Sequence, residues 1–151
     1  MSSHGLALQK ITKDSFYSIC QLSVSPEQVN HVDSNAISMA EANFSDHAWM
    51  RGIYLNGAPI GFVMVDAQVE RQEFYLWRFI IDQQFQKRGL GKLAIELLVV
   101  ELNTEFGAKN LCTSVVTELS GPKTFYERLG FIETGNLIEG RELELKLTFK
   151  L

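Results

Sequence analysis

The sequence predicts an α+β (α/β mixed) fold, and three observations predict it. Asn56-Gly57 stands between two strand-like runs, residues 49–55 and 59–66, which is the strongest short-range hairpin signal. Residues 74–82 are apolar on both alternating faces, the pattern of a central strand covered on both sides. That strand, an apolar helical run over 89–106 and a further strand over 110–117 make one βαβ unit, whose two strands are parallel. A hairpin and a parallel crossover in one sheet make the sheet mixed.

The elements follow in chain order. Residues 6–11 alternate and form a first strand, and residues 14–22 a short helix with Thr12 or Asp14 as its cap. Pro26 opens a second helical piece. Asp33-Ser34 is a further N-cap, with Ile37, Ala40 and Phe44 behind it at helical spacing. The hairpin comes next, and then strand 74–82. Alternation puts Tyr75, Trp77, Phe79 and Ile81 on one face, with Phe74, Leu76 and Ile80 on the other. Arg78 interrupts this apolar pattern and needs a partner, either an ion pair within the sheet or a carboxylate that it orients. The 89–106 helix carries Leu90, Leu93, Ala94, Leu97, Leu98, Val99, Val100 and Leu102 around most of its circumference, so it is expected to be well buried, with Gly107 as its stop. Pro122 starts a short helix that Gly130 ends. Residues 131–134 and 143–149 close the chain as two strands. No repeat, linker or low-complexity segment interrupts the 151 residues, so one domain over 1–151 is expected.

Composition narrows the function classes. Apolar residues make up 46% and charged residues 21%, which argues against disorder and collagen. The longest apolar stretches fall far short of the roughly 20 residues of a membrane helix. Met-Ser-Ser-His-Gly lacks the basic region and apolar run of a secretory signal. Cys20 and Cys112 lie outside any C-x-x-C or Cys/His cluster and read as reduced thiols of a cytoplasmic protein. His4, His31 and His47 lack metal-ligand spacing, so no metal is expected. A net charge of −4 argues against a nucleic-acid partner. The charge is uneven, however. Positions 14–50 hold no Lys or Arg but five acids, Asp14, Glu27, Asp33, Glu41 and Asp46, whereas Lys87, Arg88 and Lys92 cluster around a glycine loop. One region should attract cations and the other anions.

That loop, Gln86-Lys87-Arg88-Gly89-Leu90-Gly91-Lys92, follows a strand and opens a helix. Backbone N–H groups at a helix start have no intrahelical partner, and the helix dipole adds positive potential there. Glycines let a phosphate approach, and the basic residues add charge, so the segment suits a pyrophosphate. Gly89-Leu90-Gly91-Lys92-Leu93-Ala94 also fits the G-x-G-x-x-A dinucleotide fingerprint. In a dinucleotide fold that fingerprint follows the first strand of a parallel sheet; here a hairpin stands upstream.

These pieces resemble the GNAT superfamily of acetyltransferases. Phe79-Ile80-Ile81-Asp82 is followed by the Q-x-x-G-x-G pattern at Gln86 to Gly91. Phe125-Tyr126-Glu127-Arg128-Leu129-Gly130-Phe131 is then similar to the family's L/F-Y-x-x-x-G-F signature. Order and spacing agree along nearly the whole chain. The resemblance implies a mixed, mostly antiparallel sheet of six to seven strands flanked by about four helices. Within the superfamily, Leu76-Trp77-Arg78-Phe79-Ile80-Ile81-Asp82 running into Phe85-Gln86, and Val24-Ser25-Pro26-Glu27-Gln28 with Ser34-Asn35, look similar to bacterial spermine/spermidine (diamine) acetyltransferases.

The resemblance implies acetyl-CoA as co-substrate. Phe79, Ile80 and Ile81 would lend backbone groups to its pantetheine arm, and Gln86, Lys87, Arg88, Gly89, Leu90, Gly91 and Lys92 would surround its pyrophosphate. The family commonly has Asn seven residues before the helix tyrosine; here that position is Leu119, Pro122 stands where a small residue is usual, and Ser120 is the nearest polar replacement. The implied reaction is direct attack of an amine on the thioester. An alkylammonium, with a pKa of roughly 10.4, must first lose a proton. The tetrahedral oxyanion needs a fixed donor, for which the family suggests a backbone N–H among Phe79, Ile80 and Ile81. The leaving thiolate needs an acid, and Tyr126 is the matching residue. The base stays open: Glu73 and Asp82 flank the central strand, and Asp33 and Glu41 lie in the acidic region. Asp33, Glu41 and Glu73 are candidates to bind the ammonium groups of a polyamine, with a water chain carrying the proton.

The function expected is therefore acetyl transfer to a small cationic amine, with no nucleic-acid or membrane partner; homodimers are common in the family. The alternatives are a peptide, protein N-terminal or amino-acid acetyltransferase, a non-catalytic acyl-CoA-binding sensor that Leu119 would suit, and, more distantly, a nucleotide-dependent oxidoreductase.

Overall fold

Asn56 and Gly57 both take positive φ, 50° and 85°, as a two-residue turn matched to strand twist requires. The hairpin they close seeds a seven-stranded sheet. The computed structural model describes residues 5–23, 34–117 and 120–151. Its elements are β1 (Leu6–Gln9), α1 (Phe16–Cys20), α2 (Asn35–Ala42), β2 (Ala48–Leu55), β3 (Ala58–Gln68), β4 (Glu73–Ile81), α3 (Leu90–Phe106), β5 (Asn110–Val116), α4 (Ser120–Arg128), β6 (Ile132–Ile138) and β7 (Glu142–Thr148). The strand order is β1-β2-β3-β4-β5-β7-β6. Every pairing is antiparallel except β4 with β5, the parallel pair expected from the crossover. The helical piece expected from Pro26, and Asp33, lie outside the described residues.

Local signals account for most boundaries. Ser34 caps α2, its hydroxyl accepting from the Ile37 N–H at 3.2 Å. At α1 neither expected cap serves as the N-cap: Ser15 holds that position without a side-chain bond to the helix, its hydroxyl accepting instead from the Thr12 N–H at 2.9 Å. Gly107 ends α3 with φ 68°. β6 runs past the expected end at Thr134, because Gly135 (φ 90°) makes an irregularity inside the strand rather than a turn out of it.

One face of the sheet packs on α3, where Ile53, Val63, Val65, Phe74 and Leu76 meet Ala94, Ile95, Leu98 and Leu102. The C-terminal part of that helix is fastened to β2 by polar groups as well. Buried Arg51 bonds Glu101 at 3.1 Å and Glu105 at 3.4 Å, and the Trp49 indole donates to Glu105 at 3.0 Å. A smaller cluster on the opposite face joins Ile19 of α1 and Met39 of α2 to Tyr54, Phe62 and Met64. No helix among the described residues is long and apolar enough to cross a membrane.

The strict alternation expected along β4 breaks in the middle. Val65 pairs with Leu76 but Met64 pairs with Arg78, so Trp77 is an extra residue. An extra residue moves everything after it to the other face. Phe79 and Ile81 consequently join Phe74 and Leu76 on the α3 side, while Trp77 packs in the opposite cluster with Met64 and Phe62. Placing Tyr75 and Trp77 on one face with Phe79 and Ile81, and Ile80 on the other with Phe74 and Leu76, is therefore corrected. Arg78 finds its partner outside the sheet, on α2, at 3.1 Å from Glu41.

The exit half of β4 lies tight against β3. A Cβ on Gly61 would sit 2.5 Å from the Ile80 carbonyl oxygen, a contact only backbone movement relieves. Gly61→Ala should therefore cost about 2 kcal/mol, as overpacked core substitutions do. For a chain of this size that lowers Tm by roughly 5 °C. Thermal unfolding checks this, and an unchanged Tm would show that β4 can shift freely.

Candidate active site

The exit of β4 leads through a short 3-10 turn, Gln83–Phe85, into the start of α3. Asp82 holds this corner: one carboxylate oxygen accepts from the Ser23 N–H at 2.8 Å and the other from the Gln84 N–H at 3.2 Å. Its role there is to end the strand and tie it to the chain leaving α1. The Gln86 amide donates to the Ile81 carbonyl at 2.8 Å. Lys87 then takes φ 63° and Gly89 φ 76°, two left-handed residues that turn the chain into the helix.

The first bond into α3 runs from the Leu93 N–H to the Gly89 carbonyl, at 3.4 Å. The N–H groups of Leu90, Gly91 and Lys92 thus precede any intrahelical bond and point out of the helix start. No side chain caps them. A Cβ at Gly89 would meet nothing within 4 Å, so the surface above the turn is open. Lys87, Arg88 and Lys92 are exposed around it. The donor set, the dipole and the three cations suit a doubly charged phosphate group.

Gly91 serves a second purpose. A Cβ there would lie 3.2 Å from the Phe125 ring and 3.8 Å from Phe79. Phe79 and Phe125 stack with centroids 6.2 Å apart. The start of α3, the exit of β4 and α4 therefore meet at one place, bringing together the candidates Phe79, Ile80, Ile81, Gln86 to Lys92 and Tyr126.

Beside this meeting point the sheet opens. Among the described residues β4 and β5 pair only at Tyr75 with Cys112. The Thr113 hydroxyl then donates to the Leu76 carbonyl at 3.3 Å, and beyond it the strands part. β4 stays on β3 as far as Ile81, and β5 stays on β7 along its length. On the β5 side Phe79 and Ile81 are thereby left without a partner strand; Ile80 turns its carbonyl to β3 and the Gln86 amide holds the Ile81 carbonyl, so the backbone groups of Phe79 and the Ile81 N–H face the gap.

Tyr126 stands edge-on to Phe125 and Phe131, at 5.1 and 5.2 Å. Burial pushes its phenol well above the ordinary tyrosine value, and Thr113, the polar group set against it, offsets this only in part. The phenol keeps its proton throughout the neutral range, as a proton or hydrogen-bond donor must.

The acidic candidates are not gathered in one place. Glu41 spends its carboxylate on Arg78. Glu73, at the opposite end of β4, pairs with Arg71 at 3.2 Å on the surface and is roughly 15 Å along the strand from Arg78. Glu73 also lines a cavity of about 440 Å³ with Asp66, Tyr75, Cys112, Glu144 and Lys146. Thr113, Tyr75, Ser114 and Glu142 emerge as site neighbours only from the fold, because their partners are distant in sequence.

The sequence pattern of the acetyltransferase (GNAT) family matches residues 8–131. A spermine/spermidine N(1)-acetyltransferase of Bacillus subtilis (strain 168) is 27% identical over 136 residues, covering 86% of this chain and 90% of that protein. A ribosomal protein bS18-alanine N-acetyltransferase of Salmonella typhimurium is 38% identical over 66 residues, 44% of each chain. Among solved structures, spermidine N-acetyltransferase from Vibrio cholerae in complex with CoA and spermine superposes with a TM-score of 0.76. The match is 17% identical over 95% of both chains, a likeness of fold. With the family's pattern spanning the chain from β1 to the residue before β6, and the β4 exit, glycine loop and α4 tyrosine meeting in that fold, the chain belongs to the acetyltransferase (GNAT) family.

Proposed function

We propose that the protein transfers the acetyl group of acetyl-CoA to a primary amine of a small cationic molecule of the polyamine class. The observation that carries the reading is the parting of β4 and β5 between an anion-binding helix start and a protonated tyrosine. A ligand with a pyrophosphate at one end and a reactive thioester at the other fits such a site; when bound it supplies the acyl group. Leu90, Gly91 and Lys92 offer N–H groups to the phosphates, with Lys87 and Arg88 adding charge. The β5-facing backbone of Phe79 and the Ile81 N–H offer the arm a strand-like partner and the thioester carbonyl a fixed donor. Tyr126 offers its proton to the leaving sulfur.

The polyamine reading draws support from the similarity to the Bacillus subtilis enzyme over 86% of the chain. Asp66, Glu73 and Glu144 around the cavity beside Tyr75 and Cys112 suit separated ammonium groups. The 38% identity of one segment to the alanine N-acetyltransferase favours a peptide N-terminus as the second reading. Thiol release from acetyl-CoA, measured across polyamines, amino acids and peptides, separates them. Turnover fastest with spermidine or spermine is expected; turnover confined to peptides starting with alanine would overturn the polyamine assignment.

Two variants probe the assigned roles. Tyr126→Phe keeps the ring contacts with Phe125 and Phe131, so it should fold with an unchanged Tm and lose about 100-fold in kcat, within the range of general acid catalysis. An unchanged kcat would remove Tyr126 from the reaction. Replacing Lys87, Arg88 and Lys92 together by Gln should raise KM for acetyl-CoA about tenfold at low salt and flatten its salt dependence, leaving kcat alone. A KM and salt dependence like those of the unmodified protein would place the pyrophosphate elsewhere.

A further inference from the structure

Tyr75, Ser114 and Glu142 form a chain of two hydroxyls ending on a carboxylate. Tyr75 lies next to Leu76 and Phe74, which face α3, so its side chain is on the opposite face of the sheet. There it is hydrogen bonded to the Ser114 hydroxyl. Ser114 donates to Glu142 Oε1 at 2.7 Å. A hydroxyl carries one proton, so Ser114, having given its own to Glu142, accepts from Tyr75. The direction of the chain is fixed: Tyr75 to Ser114 to Glu142. The Tyr75 oxygen keeps lone pairs for an incoming donor.

The position of this chain gives it a use. Tyr75 is the β4 member of the one pair that joins β4 to β5 among the described residues. It adjoins Leu76, whose carbonyl accepts from Thr113, the polar group set against Tyr126. Two phenols thus flank the root of the gap, Tyr126 beside Thr113 on the α3 side and Tyr75 on the other. Acyl transfer from a thioester to an ammonium needs one proton removed and one delivered. Tyr126 is the group that delivers, and a second group must remove.

We propose that Tyr75 is a catalytic residue that takes the proton from the substrate ammonium while its own proton passes to Ser114 and that of Ser114 to Glu142. One N–H bond breaks and one O–H bond forms on the carboxylate; each hydroxyl loses one proton and gains one. The charges balance, the ammonium and the carboxylate both becoming neutral. Glu142, whose side chain is 25% exposed and whose other oxygen is 3.8 Å from Arg141, returns the proton to water. Burial holds the Tyr75 phenol above its ordinary value, so it acts as a relay and not as a standing phenolate. The charges facing it are Arg78 on its own strand and Glu142 and Glu144 on β7; Asp66, Glu73, Cys112 and Lys146 line the same cavity. The inference rests on the reading of an amine acceptor.

The test compares pH–rate profiles of the unmodified protein, Tyr75→Phe and Glu142→Gln, using the amine that the unmodified protein acetylates fastest. Glutamine keeps an oxygen to accept from Ser114 but takes up no proton. Both variants should lose about 100-fold in kcat/KM near neutral pH. The loss should shrink as pH approaches the amine's own pKa, roughly 10.4 for an alkylammonium, because the substrate then arrives deprotonated. If Tyr75→Phe fails to fold, as its Tm will report, Glu142→Gln decides alone. A normal rate in Glu142→Gln, or a loss equal at every pH, overturns the relay and leaves the acetyltransferase reading standing. An unmodified protein that releases no thiol with any amine overturns both.

Discussion

The parting of β4 and β5 is the constraint on which the rest of the structure depends. A parallel pair normally bonds along its length, yet here the two strands meet at Tyr75 and Cys112 and then follow different partners. The extra residue at Trp77 lies just past that meeting point. Past it β4 stays paired with β3, against which Gly61 allows close backbone contact at Ile80. One core under the sheet holds both sides of the gap, and the edge it leaves lies inside the sheet rather than at its rim, where the proposed function needs it.

The same bulge divides the chemistry between the two faces. Past it, Phe79 faces the α3 side and stacks on Phe125, which fixes α4 and brings Tyr126 to Thr113. Before it, Tyr75 faces away from α3 toward Ser114 and Glu142. Without the extra residue, every side chain after Leu76 would change face, and Phe79 would leave Phe125. Gly91 belongs to this arrangement too, since a side chain there would push the helix start off the Phe79–Phe125 stack.

Much of this was legible in the residues because it is written locally. The Asn56-Gly57 turn, the stop at Gly107, the Ser34 cap and the glycine loop each depend on a few adjacent residues, and the parallel pairing follows from the crossover through α3. The bulge was not legible. A strand apolar on both faces carries no alternation to show where a residue has been inserted, so the residues alone place Trp77 with Phe79 and Ile81. Arg78 in an apolar strand needs a partner, but Glu41 is 37 positions away on a helix, and nothing local names it. The Gly135-Asn136 pair resembles a turn, and only pairing with β7 shows the strand continuing. The same distance hid the Tyr75 chain, whose links span 39 and 28 positions.

Amide hydrogen exchange with and without CoA tests most directly whether the gap and the helix start are one site. The account predicts that the amides of Phe79 and Ile81 and those of residues 86–92 slow together, with the same midpoint in CoA concentration. Protection of the loop alone, with the edge of β4 exchanging as before, would contradict it.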